Sequence, residues 1–475
     1  MFIMKKDTSQ ITSGQLLEVV NPYNLEPIGS VPMVDWNTID EYLTIAQATF
    51  KDRSKWLPRF KRIEILNKAS EIMKLQFEAL AFQIANEGGK PLIDARVEVT
   101  RAIDSIGLCI KELSHLTGTE IPMDLTEAGA GHIAFSAVEP IGPVVAISAF
   151  NHPLNLIVHQ IAPAFAVGCP FLIKPAKATP LSCSAFINIL YEAGMPEEWG
   201  RFVACSTQDA EKMVTDSRVA FFSFIGSAKV GWELRSKLAP GTRCALEHGG
   251  VAPVIVDETA DIDSMIDPLL KGGFYHSGQV CVSVQKVFAP VAMAEKIAKS
   301  LAAKAEKLIV GNATNENTQC GPLISPSEVD RVHSWVENAK KDGAKVFCGG
   351  KKITDTCYAP TVLFNPSNNT EVSTKEIFGP VVCVYAYENI KDALIQANSL
   401  PFAFQAAVFT QNLNRAIECV KTLDATAVMV NEHTAFRVDW MPFAGRRQSG
   451  YGTGGIGNTM HDMTQTKMAI IKHTA

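Results

Sequence analysis

Cys281 has the setting of a nucleophile. It closes the run His276-Ser277-Gly278-Gln279-Val280-Cys281, after a helix expected over 265–275 and before a strand expected over 282–288. A thiol at a strand edge, behind a flexible glycine, can reach a ligand in a cleft. The chain has 11 cysteines, so the thiol alone says little. Three further runs give it company: Asn151 in Phe150-Asn151-His152-Pro153-Leu154-Asn155, Glu247 in Leu246-Glu247-His248-Gly249-Gly250, and Glu376 in Glu376-Ile377-Phe378-Gly379-Pro380. A nucleophile, an amide donor and a carboxylate base are the parts that oxidise an aldehyde through a thioester.

Each part has a role and a plainer alternative. The Cys281 thiolate would add to a carbonyl carbon and give a thiohemiacetal, whereas a lone cysteine is more often buried and inert. The addition places charge on the former carbonyl oxygen. The Asn151 side-chain NH2 and the Cys281 backbone N–H could hold that charge, unless Asn151 merely caps the helix that begins near Pro153. Glu247, beside two glycines, could activate the water that hydrolyses the thioester or take the thiol proton; otherwise it is a surface glutamate at a turn.

A dinucleotide site is expected without the usual GxGxxG run. Gly226-Ser227-Ala228-Lys229-Val230-Gly231 follows a strand and opens a helix, whose N-terminal N–H groups and dipole suit a pyrophosphate. Lys174-Pro175-Ala176-Lys177 ends another strand; Lys174 could hydrogen-bond a ribose, and a cation at Lys177 favours a 2′-phosphate. Ser148 and Phe150, at the end of the strand expected over 144–149, join this set. Glu376 could grip the second ribose, with Phe378 beside the ring. NADP is therefore favoured over NAD.

The elements that must position these residues alternate. Strands are expected over 144–149, 171–174, 201–205 and 220–225, and helices over 154–167, 181–194, 209–216 and 229–238. Strand–helix alternation predicts a parallel sheet covered on both faces, with ligands at the carboxyl ends of its strands. Upstream, helices are expected over 38–48, 58–82 and 91–116, with a strand over 132–139. A second series from about residue 252 carries helices over 292–308, 326–342 and 414–423 and strands near 381–385, 406–410 and 427–431. The terminal stretch 467–472 reads as a strand whose open edge suits pairing with another subunit.

At 475 residues the chain has room for two or three domains, and 47 % apolar and 20 % charged residues fit an ordinary globular enzyme. A net charge of −5 gives no electrostatic case for nucleic acid or an anionic membrane. Residues 1–14 lack an apolar core of signal-peptide length, and the most apolar stretch, 154–173, is broken by polar residues and prolines, so no membrane span is expected. The cysteines form no CxxC pair, which points to reduced thiols, a cytoplasmic location and no metal site.

Taken in order, Asn151, Lys174-Pro175, Gly226-Ser227, Glu247 with Gly249-Gly250, Gly278-Gln279-Val280-Cys281, Glu376-Ile377-Phe378-Gly379-Pro380 and Pro442-Phe443 before Ser449-Gly450 resemble the aldehyde dehydrogenase superfamily over nearly the whole chain. The resemblance implies an α/β fold with two parallel-sheet domains and a small β oligomerisation element. It assigns 1–120 and 141–248 to dinucleotide binding, 249–440 to catalysis, and 121–140 with 441–475 to oligomerisation as a homodimer or homotetramer. It makes Cys281 the nucleophile, Asn151 the oxyanion donor, Glu247 the base and Glu376 the ribose anchor. Departures are His248 and Val251 in place of a common Leu and Lys, Lys177 where NAD-preferring members carry Glu, and Ala444 and Arg446 in the late Pro-Phe-Gly-Gly motif.

Within that superfamily, Arg101, His159 and Arg437 look like the lactaldehyde, non-phosphorylating glyceraldehyde-3-phosphate and phosphonoacetaldehyde dehydrogenases. There, arginines from these regions face the far end of the aldehyde, so a small anionic substrate is implied. The competing reading pairs Arg101 with Glu98 or Asp104, and Arg437 with Asp439. Two other functions stay open: a CoA-acylating semialdehyde dehydrogenase, against which Glu247 speaks, and a non-catalytic dinucleotide-binding scaffold.

Overall fold

The computed structural model describes residues 15–473; the lead-in 1–14, read above for signal-peptide character, lies outside the described residues. Short apolar strands build the first sheet, in the order Gly450–Tyr451, Arg243–Glu247, Phe221–Ile225, Val144–Ile147, Phe171–Lys174, Gly200–Phe202. All pairs but the first are parallel. Val144, Val145, Ala146, Leu172 and Ile173 are wholly buried, the continuous apolar pattern of a sheet covered on both faces. Helix Asn155–Val167 is buried on every side and joins one core with helices Arg59–Leu75, Leu92–Glu112 and Ile456–Asp462. The carboxyl ends of four strands, at Ile147, Lys174, Ile225 and Glu247, open on the same edge.

The second sheet runs Lys345–Cys348, Thr361–Phe364, Val381–Tyr387, Lys286–Pro290, Pro253–Val256, Gln405–Phe409, Ala427–Val430, antiparallel only at its first pair. A third sheet pairs Thr464–Lys472 with His132–Pro140 along nine residues of each strand, and adds Glu120–Ile121. Among the described residues no helix is long and apolar enough to cross a membrane.

Three expectations change. The helix expected over 58–82 is two, Arg59–Leu75 and Phe77–Gly88, meeting at Gln76; the buried positions (Leu66, Ala69, Met73, then Leu80, Ile84) keep helical spacing across the junction, so periodicity hides it. The strand expected from residue 282 starts only at Lys286; Val280 and Val282 bury against Phe404 and Phe443 from a turn instead, so Cys281 sits in a loop, not at a strand edge. Of the segment 441–475, only Thr464–Lys472 joins the third sheet. Gly450–Tyr451 completes the first sheet, and Ile456, Met460 and Met463 belong to the core beneath it.

One carboxylate holds the start of the buried helix. Glu98, from helix Leu92–Glu112, accepts the backbone N–H of Leu154 and Asn155 at 2.9 and 3.1 Å through Oε1. Its Oε2 meets the Lys90 ammonium, and both side chains are buried. Glu98→Ala would orphan two N–H groups and leave a buried cation unpaired. We expect it to lose about 3–5 kcal/mol of unfolding free energy in urea titrations, with Glu98→Gln losing less; a change under about 1 kcal/mol would show that the cap contributes little.

Candidate functional site

The loop that carries the thiol is held tightly. After the 3-10 turn Tyr275–Gly278, in which His276 and Ser277 take left-handed φ values of 46° and 55°, Ser277 Oγ donates to the Gly321 carbonyl at 2.6 Å. The Gln279 side chain donates to Pro322 O at 3.2 Å and accepts from Ile324 N–H at 3.0 Å. Such backbone costs about 1–2 kcal/mol per residue, and the surrounding bonds hold it. The Gln279 carbonyl then accepts from Asn151 Nδ2 at 2.9 Å. Asn151 therefore does not cap the following helix, as the plainer reading had it; Glu98 does that, and the Asn151 amide is turned toward the loop of Cys281.

Cys281, Asn151, Glu247 and Glu376 all line one cavity of about 780 Å³ at the strand ends. Burial favours the neutral form of both acids: it pushes Glu247 up to about 7, with Arg437 opposing, and Glu376 up to about 8. Burial also raises the Cys281 thiol well above its ordinary value, helped by the charges of Glu376 and Glu247. Two glycines seat the acids. A Cβ on Gly249 would lie 1.7 Å from Glu376 Oε1, and one on Gly454 2.1 Å from Glu247 Oε1, so each carboxyl rests directly on a glycine Cα.

One end of the cavity has the parts of a dinucleotide site. Ser148, Phe150, Gly226, Ser227 and Phe378 line it, with Phe150 and Phe378 edge to face at 5.8 Å. Helix Ala228–Ser236 starts here from Ser227, whose side chain does not cap it. Ser148 Oγ and Glu376 Oε1 are buried without a hydrogen-bond partner among the described residues, a donor and an acceptor that fit ribose hydroxyls. His248 donates through Nδ1 to Gly226 O at 2.9 Å and packs between Phe224 and Trp232, so this departure from the family pattern pins the Gly226 turn. Ala176 lines the cavity, whereas Lys174 and Lys177 on either side of it in sequence do not; Lys174 is buried, with Nζ on Pro175 O at 3.3 Å, and Lys177 is exposed.

Arg101, His159 and Arg437 line the other end. The pairing expected for Arg101 does not hold, whereas that of Arg437 with Asp439 does, as a long ion pair. Arg101 takes neither Glu98 nor Asp104 but binds Asp439 through two bonds, Nε to Oδ2 at 2.9 Å and Nη2 to Oδ1 at 2.7 Å. His159 Nε2 also meets Asp439 Oδ1 at 2.9 Å. Arg437 is left with Asp439 only at 3.7 Å, and its guanidinium lies 3.5 Å from the centre of the Phe443 ring.

A family model, "Aldehyde dehydrogenase family", matches residues 9–469. The chain belongs to the aldehyde dehydrogenase family. It is 31 % identical over 463 residues to a 3-sulfolactaldehyde dehydrogenase of Priestia aryabhattai, covering 97 % of this chain and 96 % of that protein. Among solved structures, aldehyde dehydrogenase 21 of Physcomitrella patens in complex with the reaction product succinate superposes with a TM-score of 0.93 at 33 % identity, over 97 % of this chain and 96 % of that one. Glyceraldehyde-3-phosphate dehydrogenase GapN of Methanocaldococcus jannaschii, complexed with NADP, gives 0.91 at 33 % identity over 96 % and 99 %.

This aldehyde dehydrogenase is thus an oxidoreductase acting on aldehydes. Sequence reasoning missed three features that hold the cavity's lining side chains in place. Asp439 was visible only as a neighbour of Arg437. The Lys90–Glu98–His152 chain joins residues 8 and 54 positions apart, a proximity no local pattern signals. Gly454 carried no mark of its role, since Glu247 lies more than 200 residues before it.

The thiol gives a direct test of the site's electrostatics. Because negative neighbours disfavour the thiolate, Glu376→Gln lowers the Cys281 pKa. Iodoacetamide labelling of Cys281 near pH 9, followed by peptide mass spectrometry, should run about 2–10-fold faster in that variant, and an unchanged rate would separate Glu376 from the thiol.

Proposed function

We propose that this enzyme oxidises a small aldehyde with an anionic far end to the carboxylic acid, with NADP as the favoured acceptor and NAD the second candidate. The observation that carries the reading is the convergence of Cys281, Asn151 and Glu247 on one cavity whose far end holds Arg101 and Arg437. The names of the relatives agree in kind: sulfolactaldehyde, succinate and glyceraldehyde-3-phosphate each bear an anionic group. For the acceptor, the NADP held by the GapN structure and the exposed Lys177 beside Lys174 support the phosphorylated dinucleotide.

In this reading Cys281 gives up its proton, to Glu247 or to water, and its sulfur bonds to the aldehyde carbon. Asn151 Nδ2 exchanges the Gln279 carbonyl for the new oxyanion, with the Cys281 N–H as second donor. Ser148, Gly226, Ser227, Glu376, Phe150 and Phe378 would hold the dinucleotide, with Lys174 and Lys177 at its adenosine side. When bound, a nicotinamide dinucleotide supplies the acceptor for the hydride whose loss turns the thiohemiacetal into a thioester. Glu247 then removes a proton from water as its oxygen attacks the thioester carbon; the C–S bond breaks, the acid leaves and the sulfur is reprotonated. A water-activating carboxylate at this point favours hydrolysis over transfer to CoA.

The remaining assignments follow the same reading. Residues up to 120 and 141–248 form the dinucleotide-binding unit and 249–440 the catalytic unit. The open edge of Thr464–Lys472, with Met468, Ile470 and Ile471 about half exposed, suits pairing with a second copy into a dimer or tetramer. The eleven unpaired cysteines suit a cytoplasmic location.

Cys281→Ser should abolish aldehyde-dependent formation of reduced cofactor, and undiminished turnover would remove the nucleophile assignment. Glu247→Gln should keep a single-turnover burst while the steady rate falls by about 10²-fold or more; an unchanged steady rate removes the base. The pH profile has a determined sign. Burial favours the neutral acid and sets Glu247 at about 7, so below that pH the base is protonated and idle. The steady rate should therefore rise about tenfold per pH step on the acid side and level off above pH 7, and a rate falling through this range would contradict the role.

A further inference from the structure

The far end of the cavity holds two arginines but only one uncommitted charge. Both oxygens of Asp439 are engaged by Arg101, at 2.9 and 2.7 Å, and Oδ1 also by His159 at 2.9 Å. Asp439 is buried; burial alone would raise it, yet the bonds from His159 and Arg101 outweigh burial and hold it ionised. Arg101 is thereby neutralised in place. It keeps Nη1 without a hydrogen bond among the described residues, as a donor rather than as a net charge. Arg437 is different. Among the described residues it makes no hydrogen bond to a carboxylate; its Nε is buried without a hydrogen-bond partner and has only the long ion pair to Asp439 Oδ1 at 3.7 Å. Elsewhere on the wall the exposed Lys271 sits near the buried Asp94, which offsets it, and Glu247 adds negative charge when ionised. Among the groups whose charge is fixed, two cations stand against one anion, which leaves room for one more negative charge at Arg437; Glu247, ionised above about pH 7, adds to the repulsion of a second.

We propose that this end is a monoanion site, and that Asp439 is the specificity-determining residue that makes it one. It takes aldehydes whose far end is a carboxylate or a sulfonate in preference to a phosphonate or phosphate dianion. A single negative charge completes the pairing of Arg437 and accepts the free Arg101 donor. A second would meet the field of Asp439, buried behind Arg101 and His159, and that of Glu247, with no cation left to pair with it. A neutral aldehyde would leave Arg437 buried and unpaired. The inference rests on the reading of an anionic substrate given above and narrows it.

The test is a rate panel on the full-length enzyme near pH 8 with saturating cofactor: succinate semialdehyde and sulfoacetaldehyde as monoanions, phosphonoacetaldehyde as the dianion, and propanal as the neutral control. We expect kcat/KM for both monoanions to exceed that for the phosphonate and the neutral aldehyde by about tenfold or more. The carboxylate and sulfonate arms show which monoanion fits better. A phosphonate equal to or better than both monoanions overturns the proposal while leaving the anionic-substrate reading intact; propanal as the best substrate overturns both. Asp439→Asn should move the phosphonate-to-carboxylate ratio of kcat/KM toward phosphonate by about tenfold, an effect a purely structural role would not give, and an unchanged ratio removes Asp439 from the assignment. Should that variant fail to fold, competitive inhibition of the native enzyme by methanesulfonate against methylphosphonate supplies the comparison: the sulfonate must bind more tightly.

Discussion

The site depends on a buried ionic contact that belongs to the scaffold. Glu98 ties the start of helix Asn155–Val167 to helix Leu92–Glu112, and its second oxygen holds Lys90, whose ammonium also meets His152 Nδ1. An ammonium can only donate, so His152 is fixed with its proton on Nε2. The peptide between strand Val144–Ile147 and that helix is short, and Asn151 lies within it. Holding both ends of this segment fixes the Asn151 amide at 2.9 Å from the Gln279 carbonyl and so against the loop of Cys281. Two sheets that share no strand are registered to one another at that bond.

Around it, desolvation does most of the electrostatic work. A thiol and two carboxyls packed into one cavity cannot all be charged, and each is pushed toward its neutral form by burial. The two glycines that seat the carboxyls allow this packing, because a methyl group in either place would overlap the acid. The charges that do persist lie at the far end, where the Asp439 carboxylate is bonded on both oxygens by Arg101 and further by His159. The cavity thus sets proton-exchanging groups beside ions that stay charged, and Arg437 acts on Glu247 and Cys281 as well as on Asp439.

Much of this was legible in the sequence because its signals are local. Apolar runs of four or five residues between turn signals placed the strands of the first sheet, and the motifs at their ends placed Asn151, Gly226 and Glu247. Cys281, Glu376 and Phe378 were found the same way. What failed depends on tertiary context. Valines 280 and 282 read as strand because they are apolar and β-branched, yet Phe404 and Phe443 bury them from a turn. Arg101 was paired with acids near it in sequence, whereas its partner lies 338 residues away. The helix Ile456–Asp462 is too short for its periodicity to say which core it enters.

The two walls of the cavity differ in how freely they can change. The wall bearing Asn151 and His152 is built into the scaffold: Glu98, which anchors it, also caps a helix, so altering it disturbs folding and chemistry together. The opposite wall, from Glu432 to Phe443, contains no helix or strand, and both Arg437 and Asp439 stand on it. Its exposed positions, Phe436 among them, can change without touching a helix or strand, while Thr434, Asp439 and Phe443 are buried and tie the wall to the Cys281 loop and to Arg101. A scaffold divided in this way leaves one face of the cavity free to vary at its surface while the other is locked by the helix it begins.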